Sequence, residues 1–257
     1  MLFDAHCHLD FAAFDADLEA VLARAQAVGV RRFMVPATTR ARWPAVSALA
    51  ARDDVVIGLG LHPYFVATHR DEDLDALGEA LAQRREVVAV GECGIDARFA
   101  ETLPRQWQLF EAQLQLAKHY RLPLVIHCVH ANDQVAKRLR QLALPAGGLI
   151  HAFSGSPQQA HRFVDLGYHL GLGGAATHTR AQRLQRAIAG LPDDAFVLET
   201  DSPDMPPAGR QGQRNEPANL TEVLTRVAAL RRCPEAEVAA QAYANTCRLF
   251  ACAEPTR

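Results

Sequence analysis

The sequence predicts an α/β chain folded as a TIM-type (β/α)8 barrel, and three observations carry that prediction. Eight short apolar runs alternate with stretches of helical periodicity from end to end, the arrangement of a parallel sheet with crossover helices. Several runs are apolar on both faces, as strands covered on both sides must be. Ligand-type polar residues stand at the C-terminal ends of five runs, whereas an open doubly wound sheet would gather them at one crevice. That alternative also lacks its glycine-rich phosphate loop after the first run.

In chain order, the runs are 2–8, 32–37, 55–62, 87–92, 123–128, 148–152, 168–173 and 195–201. Between the first two, Leu18, Val21, Leu22 and Ala25 recur at helical spacing, and between the fourth and fifth so do Leu109, Leu114, Leu116 and Ala117. Asp, Ser or Pro near several of these starts supplies helix N-terminal signals. The Pro-, Gly- and Arg-rich stretch 203–217 reads as a long loop after the last strand, and 218–251 as two helices closing the barrel. No linker, repeat or low-complexity segment divides the chain, so 1–257 reads as a single domain.

Composition narrows the function. With 49% hydrophobic and 22% charged residues, the chain is neither disordered nor fibrous. Lys and Arg number 27 against 29 Asp and Glu, a net charge of −2, so any nucleic-acid contact must come from a local patch. The longest apolar runs fall short of the ~20 residues of a membrane span, and no basic stretch precedes an apolar N-terminal segment. The expectation is a cytoplasmic protein with no membrane partner and no obligate protein partner. The six cysteines, Cys7, Cys93, Cys128, Cys233, Cys247 and Cys252, form no CxxC pair and read as reduced thiols.

The chemistry sits at the strand ends. His6 and His8 are two apart on the first run, so their imidazoles share a face and suit one metal, while Cys7 points away. Glu92, His127, His151 and Asp201 end four further runs, with gaps of 84, 35, 24 and 50 residues from His8 onward that fit about three, one, one and two βα units. Six donors then converge on the C-terminal face of the barrel. Four histidines and two carboxylates exceed the needs of one tetrahedral ion and suit two divalent ions sharing a carboxylate. Glu92 is the expected bridge, with His6, His8 and Asp201 completing one ion and His127 and His151 the other. Zn, Mn, Co and Mg all fit mixed donors of this kind. Such a centre makes a metal-bound hydroxide available at neutral pH, with Asp201 orienting it and accepting its proton, so Asp201 and Glu92 are the expected catalytic residues.

DAHCHLD at 4–10, GLHP at 60–63, GECGID at 91–96, LPLVIH at 122–127, HAFSGS at 151–156, ETDSPDMP at 199–206 and GQRNEPAN at 212–219 together resemble the TatD family of metal-dependent hydrolases, part of the amidohydrolase-like superfamily. Within it, the chain is similar to the bacterial branch of uncharacterised hydrolases. The resemblance implies a TIM-type barrel, a one- or two-ion site at His6, His8, Glu92, His127, His151 and Asp201, and deoxyribonuclease activity on DNA or nucleic-acid fragments. It also makes His62 a substrate contact at the rim. Two positions depart from the family's pattern: Tyr64 stands where His is frequent after GxHP, and Val129 where Arg is frequent two positions after the fifth-strand histidine. Both bear on phosphate contacts, and His130 is the nearest replacement.

The remaining residues have competing readings. Ser154, with Gly155, forms a small turn whose backbone N–H groups suit a substrate anion. Arg214, with Asn215 and Glu216, either lines the cleft or anchors the loop after the last strand. Asp4 either supports a liganding imidazole or caps a layer of the barrel. Glu199 is expected as a buried, hydrogen-bonded support. Cys7, Cys93 and Cys128 read as packing residues facing the helices, and His69, His119, His161, His169 and His178 as solvated. The expected function is divalent-metal-dependent ester hydrolysis, foremost of phosphodiesters. The alternatives are a carboxylic ester or amide hydrolase, including the aminoacyl-tRNA deacylase type, and a non-catalytic metal-binding protein.

Overall fold

Each of the eight runs forms a strand, and the computed structural model describes residues 1–251. The strands are β1 (Leu2–Asp4), β2 (Val30–Pro36), β3 (Val55–Leu59), β4 (Val87–Asp96), β5 (Leu124–Val129), β6 (Gly148–Ile150), β7 (Tyr168–Leu172) and β8 (Phe196–Leu198). They pair in parallel in that order. Past the ends of β8 and β1, Ala5 N donates to Leu198 O (2.9 Å), Asp201 N to His6 O (2.9 Å) and His8 N to Ser202 O (2.7 Å), which draws the last strand against the first. The result is the (β/α)8 barrel.

Seven crossover helices follow the strands: α1 (Leu18–Ala27), α2 (Trp43–Leu49), α3 (Asp71–Gln83), α4 (Leu103–Tyr120), α5 (Asn132–Leu142), α6 (Pro157–Val164) and α7 (Gln182–Ala189). After the 203–217 loop come the two expected helices, α8 (Leu220–Arg231) and α9 (Glu235–Leu249). None of the described helices is long and apolar enough to cross a membrane.

Strand alternation sorts the side chains into two cores. Phe3, Ala5, Met34, Ala89, Val125, Leu149 and Val197 fill the barrel together with Tyr243, Cys247, Leu249 and Phe250. The Phe3 ring lies 6.0 Å from that of Tyr243 and 6.5 Å from that of Phe250, so α9 plugs the end of the barrel where β1 begins. The other core lies between strands and helices and takes in Cys7, Cys93 and Cys128, which face outward as expected. Burial raises all three thiols, Cys128 to about 12, so they stay protonated and unreactive. No disulfide forms among the described residues; Cys252 lies outside them.

Candidate metal centre

The six strand-end donors meet at the open end of the barrel. His6 Nε2 and His8 Nε2 approach to 3.2 Å. Each also faces Glu92 Oε2, at 3.3 and 3.4 Å, and Asp201 Oδ1, at 3.5 Å from both. Bonds of about 2.0–2.2 Å to nitrogen and oxygen place tetrahedral ligands roughly 3.3–3.5 Å apart. The donor set therefore has the dimensions of a cage for one divalent ion.

The other oxygen of Glu92 faces a separate set. Oε1 lies 3.0 Å from His62 Nε2, 3.3 Å from His127 Nδ1 and 3.5 Å from His151 Nε2. Glu92 is 1% exposed, and neither of its oxygens receives a donor with hydrogen-bond geometry. A buried carboxylate so placed is costly unless a cation compensates it. The residues thus fit one or two divalent ions, with Glu92 between the two positions.

β4 is the longest strand, and its pairing with β5 slips between Val90 and Cys93. At the slip Glu92 N leaves the β5 ladder and donates to Ala37 O at 3.0 Å, so the irregularity aims the Glu92 side chain inward. Three further carboxylates stand behind this ring. Glu199 Oε1 accepts from Ala152 N and lies 3.2 Å from His151 Nδ1, which turns Nε2 toward the centre. Glu199 is thus the buried support expected of it. Asp96, which sequence reasoning missed, sits 3.1 Å from His127 Nε2 and takes the Arg98 guanidinium on both oxygens. Its signal lay within GECGID, four residues past the expected strand end at 92, on the face opposite Cys93 and Ile95. Asp4 touches no imidazole; it accepts from Thr200 N (2.9 Å) and Thr200 Oγ1 (2.6 Å) and so ties the start of the barrel to its end.

Charge follows from these contacts. Burial pushes Glu92 and Asp201 up, but the surrounding imidazoles outweigh it and hold both below the usual carboxylate range. Burial pulls the imidazoles down and prevails at His6 and at His62, which falls to about 4. At His8 and His127 the facing carboxylates win and raise them, and at His151 the Asp201, Glu199 and Glu92 charges raise it to about 10. Asp96 is driven well down against its burial, chiefly by Arg98.

His62 lies deeper than the rim position the sequence suggests. Tyr64 N donates to its Nδ1 at 3.0 Å, so the neutral ring carries its proton on Nε2, 3.0 Å from Glu92 Oε1. His69, read as solvated, is buried, with Nε2 2.9 Å from His62 O; it braces the turn that carries His62. His119 and His161 are exposed, His169 and His178 half-buried. The burial of His69 had no sequence signal beyond its seven-residue spacing from His62.

Around the centre a cleft of about 650 Å³ is lined by His8, Phe11, Tyr64, Arg98, Ser154, Asp201 and Met205 among others. Ser154 is exposed on its wall. Arg214 instead donates to Ala13 O and, at 2.7 Å, to each Asp17 carboxylate oxygen. Glu216 pairs with Arg24 at 2.7 Å, and buried Asn215 bonds Thr200 O and Asp204 O. This trio anchors the loop to α1 and to the end of β8.

The model of the TatD related DNase family matches residues 3–251. The chain is 44% identical over 251 residues, covering 96% of both proteins, to the uncharacterized metal-dependent hydrolase YjjV of Escherichia coli K12. The crystal structure of that TatD homolog superposes with a TM-score of 0.95 at 43% identity, over 98% of each chain. At 33% identity over 258 residues, 97% of each protein, the chain also matches the 3'-5' ssDNA/RNA exonuclease TatD of Cronobacter sakazakii. With the barrel, the donor set and these matches in agreement over nearly its whole length, the chain belongs to the TatD family of metal-dependent hydrolases.

Proposed function

We propose that this hydrolase cleaves phosphodiester bonds, with DNA or short nucleic-acid fragments as substrate. The observation that supports it best is Glu92, whose two oxygens face two separate donor sets, the layout suited to clamping both the attacking and the leaving oxygen of an in-line displacement. The similarity to an enzyme named as an exonuclease supports the same bond class. When bound, one or two divalent ions supply an activated water and positive charge opposite the leaving oxygen. His6, His8, Glu92, His127, His151 and Asp201 would hold them.

Asp201 lines the cleft as a carboxylate. With Oδ1 turned to His6 and His8, its other oxygen orients the attacking water and accepts its proton. Glu199 and Asp96 keep His151 and His127 aimed at the centre. His62 lines the cleft with Nε2 3.0 Å from Glu92 Oε1, and the Ser154 turn on the cleft wall offers a polar contact to a substrate oxygen.

The test is hydrolysis by metal-stripped protein reloaded separately with Mg, Mn, Co and Zn, on end-labelled single-stranded DNA, a simple phosphodiester and a carboxylester. The expected outcome is metal-dependent phosphodiester and DNA cleavage that falls at least ~100-fold in Asp201→Asn. Turnover of the carboxylester alone would overturn the proposal.

A further inference from the structure

Large apolar side chains are exposed at four places among the described residues: Met1, Val28, Tyr64 and Met205. Met1 begins the chain and Val28 follows α1, but Tyr64 and Met205 both line the cleft over the metal centre. Tyr64 is 60% exposed. An aromatic ring left to water at the mouth of an active-site cleft, rather than folded onto the barrel, has a surface to give to a ligand.

Its placement is fixed, not incidental. Tyr64 N donates to His62 Nδ1, and His62 Nε2 meets Glu92, so one hydrogen bond and one side chain separate this residue from the centre. The ring is braced by Phe65, with centroids 5.1 Å apart at 82°, and by Phe99, at 5.6 Å and 75°. Neither neighbour stacks in parallel on it, and more than half of its surface stays exposed.

The cleft lining favours a flat, uncharged group at this point. Arg98 is the one Arg or Lys among its lining residues, and both oxygens of Asp96 already engage that guanidinium. A second phosphate would find little unneutralised charge here, whereas a nucleobase has a π face that stacks on tyrosine whatever its sequence. We infer that Tyr64 is the stacking platform for the nucleobase beside the scissile phosphate, a specificity-determining residue of the cleft. This rests on the phosphodiesterase reading, and it assigns a role to the position where the chain departs from its family's histidine.

Binding tests it independently of turnover. Calorimetric titration of the metal-loaded enzyme with thymidine 5'-monophosphate and with deoxyribose 5-phosphate compares ligands that differ only in the base. Wild type and Tyr64→Phe should bind the nucleotide more tightly than the sugar phosphate. Tyr64→Ala should weaken nucleotide binding roughly 5- to 150-fold and leave the sugar phosphate unchanged. A parallel loss of both ligands, equal affinity for the two in wild type, or binding of neither overturns the inference. Failure of the phosphodiesterase reading is seen separately, as absence of oligonucleotide cleavage by a wild-type enzyme that still prefers the nucleotide.

Discussion

Protons and metal ions compete for the same nitrogens in this cluster. His8, His127 and His151 are raised by neighbouring carboxylates, which favours their protonated forms in the ion-free centre. A divalent ion must displace those protons. Metal affinity should therefore rise as pH rises toward about 10, the His151 value, and each ion should release protons on binding. Titration calorimetry at pH 6, 7 and 8, in buffers of different ionisation enthalpy, reads both; pH-independent affinity would count against these residues as ligands. The six donors were legible because strand ends in a barrel converge, so residue type and spacing sufficed. Asp96, and His62 as a partner of Glu92, were not, since their contacts depend on ring orientation and on a backbone hydrogen bond at Tyr64 that spacing does not encode.

At the scale of elements, α4 shows how a helix places a site it never touches. Gln106 and Gln113 are two turns apart on its buried face. Gln106 accepts from Asp96 N and donates to Asp96 O, while Gln113 accepts from Leu61 N (2.8 Å) and donates to Leu61 O (3.2 Å). The helix thus clamps the ends of β4 and β3, where Asp96 and His62 begin their reach to the centre. Gln113→Leu strands two buried backbone groups, a cost of roughly 1–3 kcal/mol each. Urea denaturation should show that loss, and similar stability for the variant would refute the clamp. β7 contributes by omission: a Cβ at Gly171 would come within 2.2 Å of Glu199 Oε2. Gly171→Ala should push Glu199 off His151 and weaken metal binding about 10- to 100-fold, measured by competition with a chromogenic chelator. All eight strands were legible as apolar runs. Their ends were less so, because 195–201 and 2–8 leave the regular ladder at Leu198 and Asp4, where Thr200 and Asp4 bond through side chains.

Across the whole molecule, the balance of 27 cations against 29 anions gives no field to draw in a polyanion. The single guanidinium lining the cleft already serves Asp96. A protein making 6–10 phosphate contacts loses roughly 10³–10⁵ in affinity between 50 and 200 mM salt; this one should lose less than about 10-fold on a short single strand. It should also cleave short single strands faster than long duplex. Fluorescence anisotropy at the two salt concentrations and parallel digests measure both, and a steep salt slope or faster duplex cleavage would show a basic surface at work.

Glu92 serves the two donor sets from one carboxylate, and its single negative charge can be given in full only once. A first ion would take most of that charge and leave the second position with the imidazoles of His127 and His151 and a half-spent oxygen. Loading would thereby be graded: one tightly resident ion, and a second whose occupancy would follow the surrounding metal concentration, so that cellular metal supply would become a dial on the enzyme.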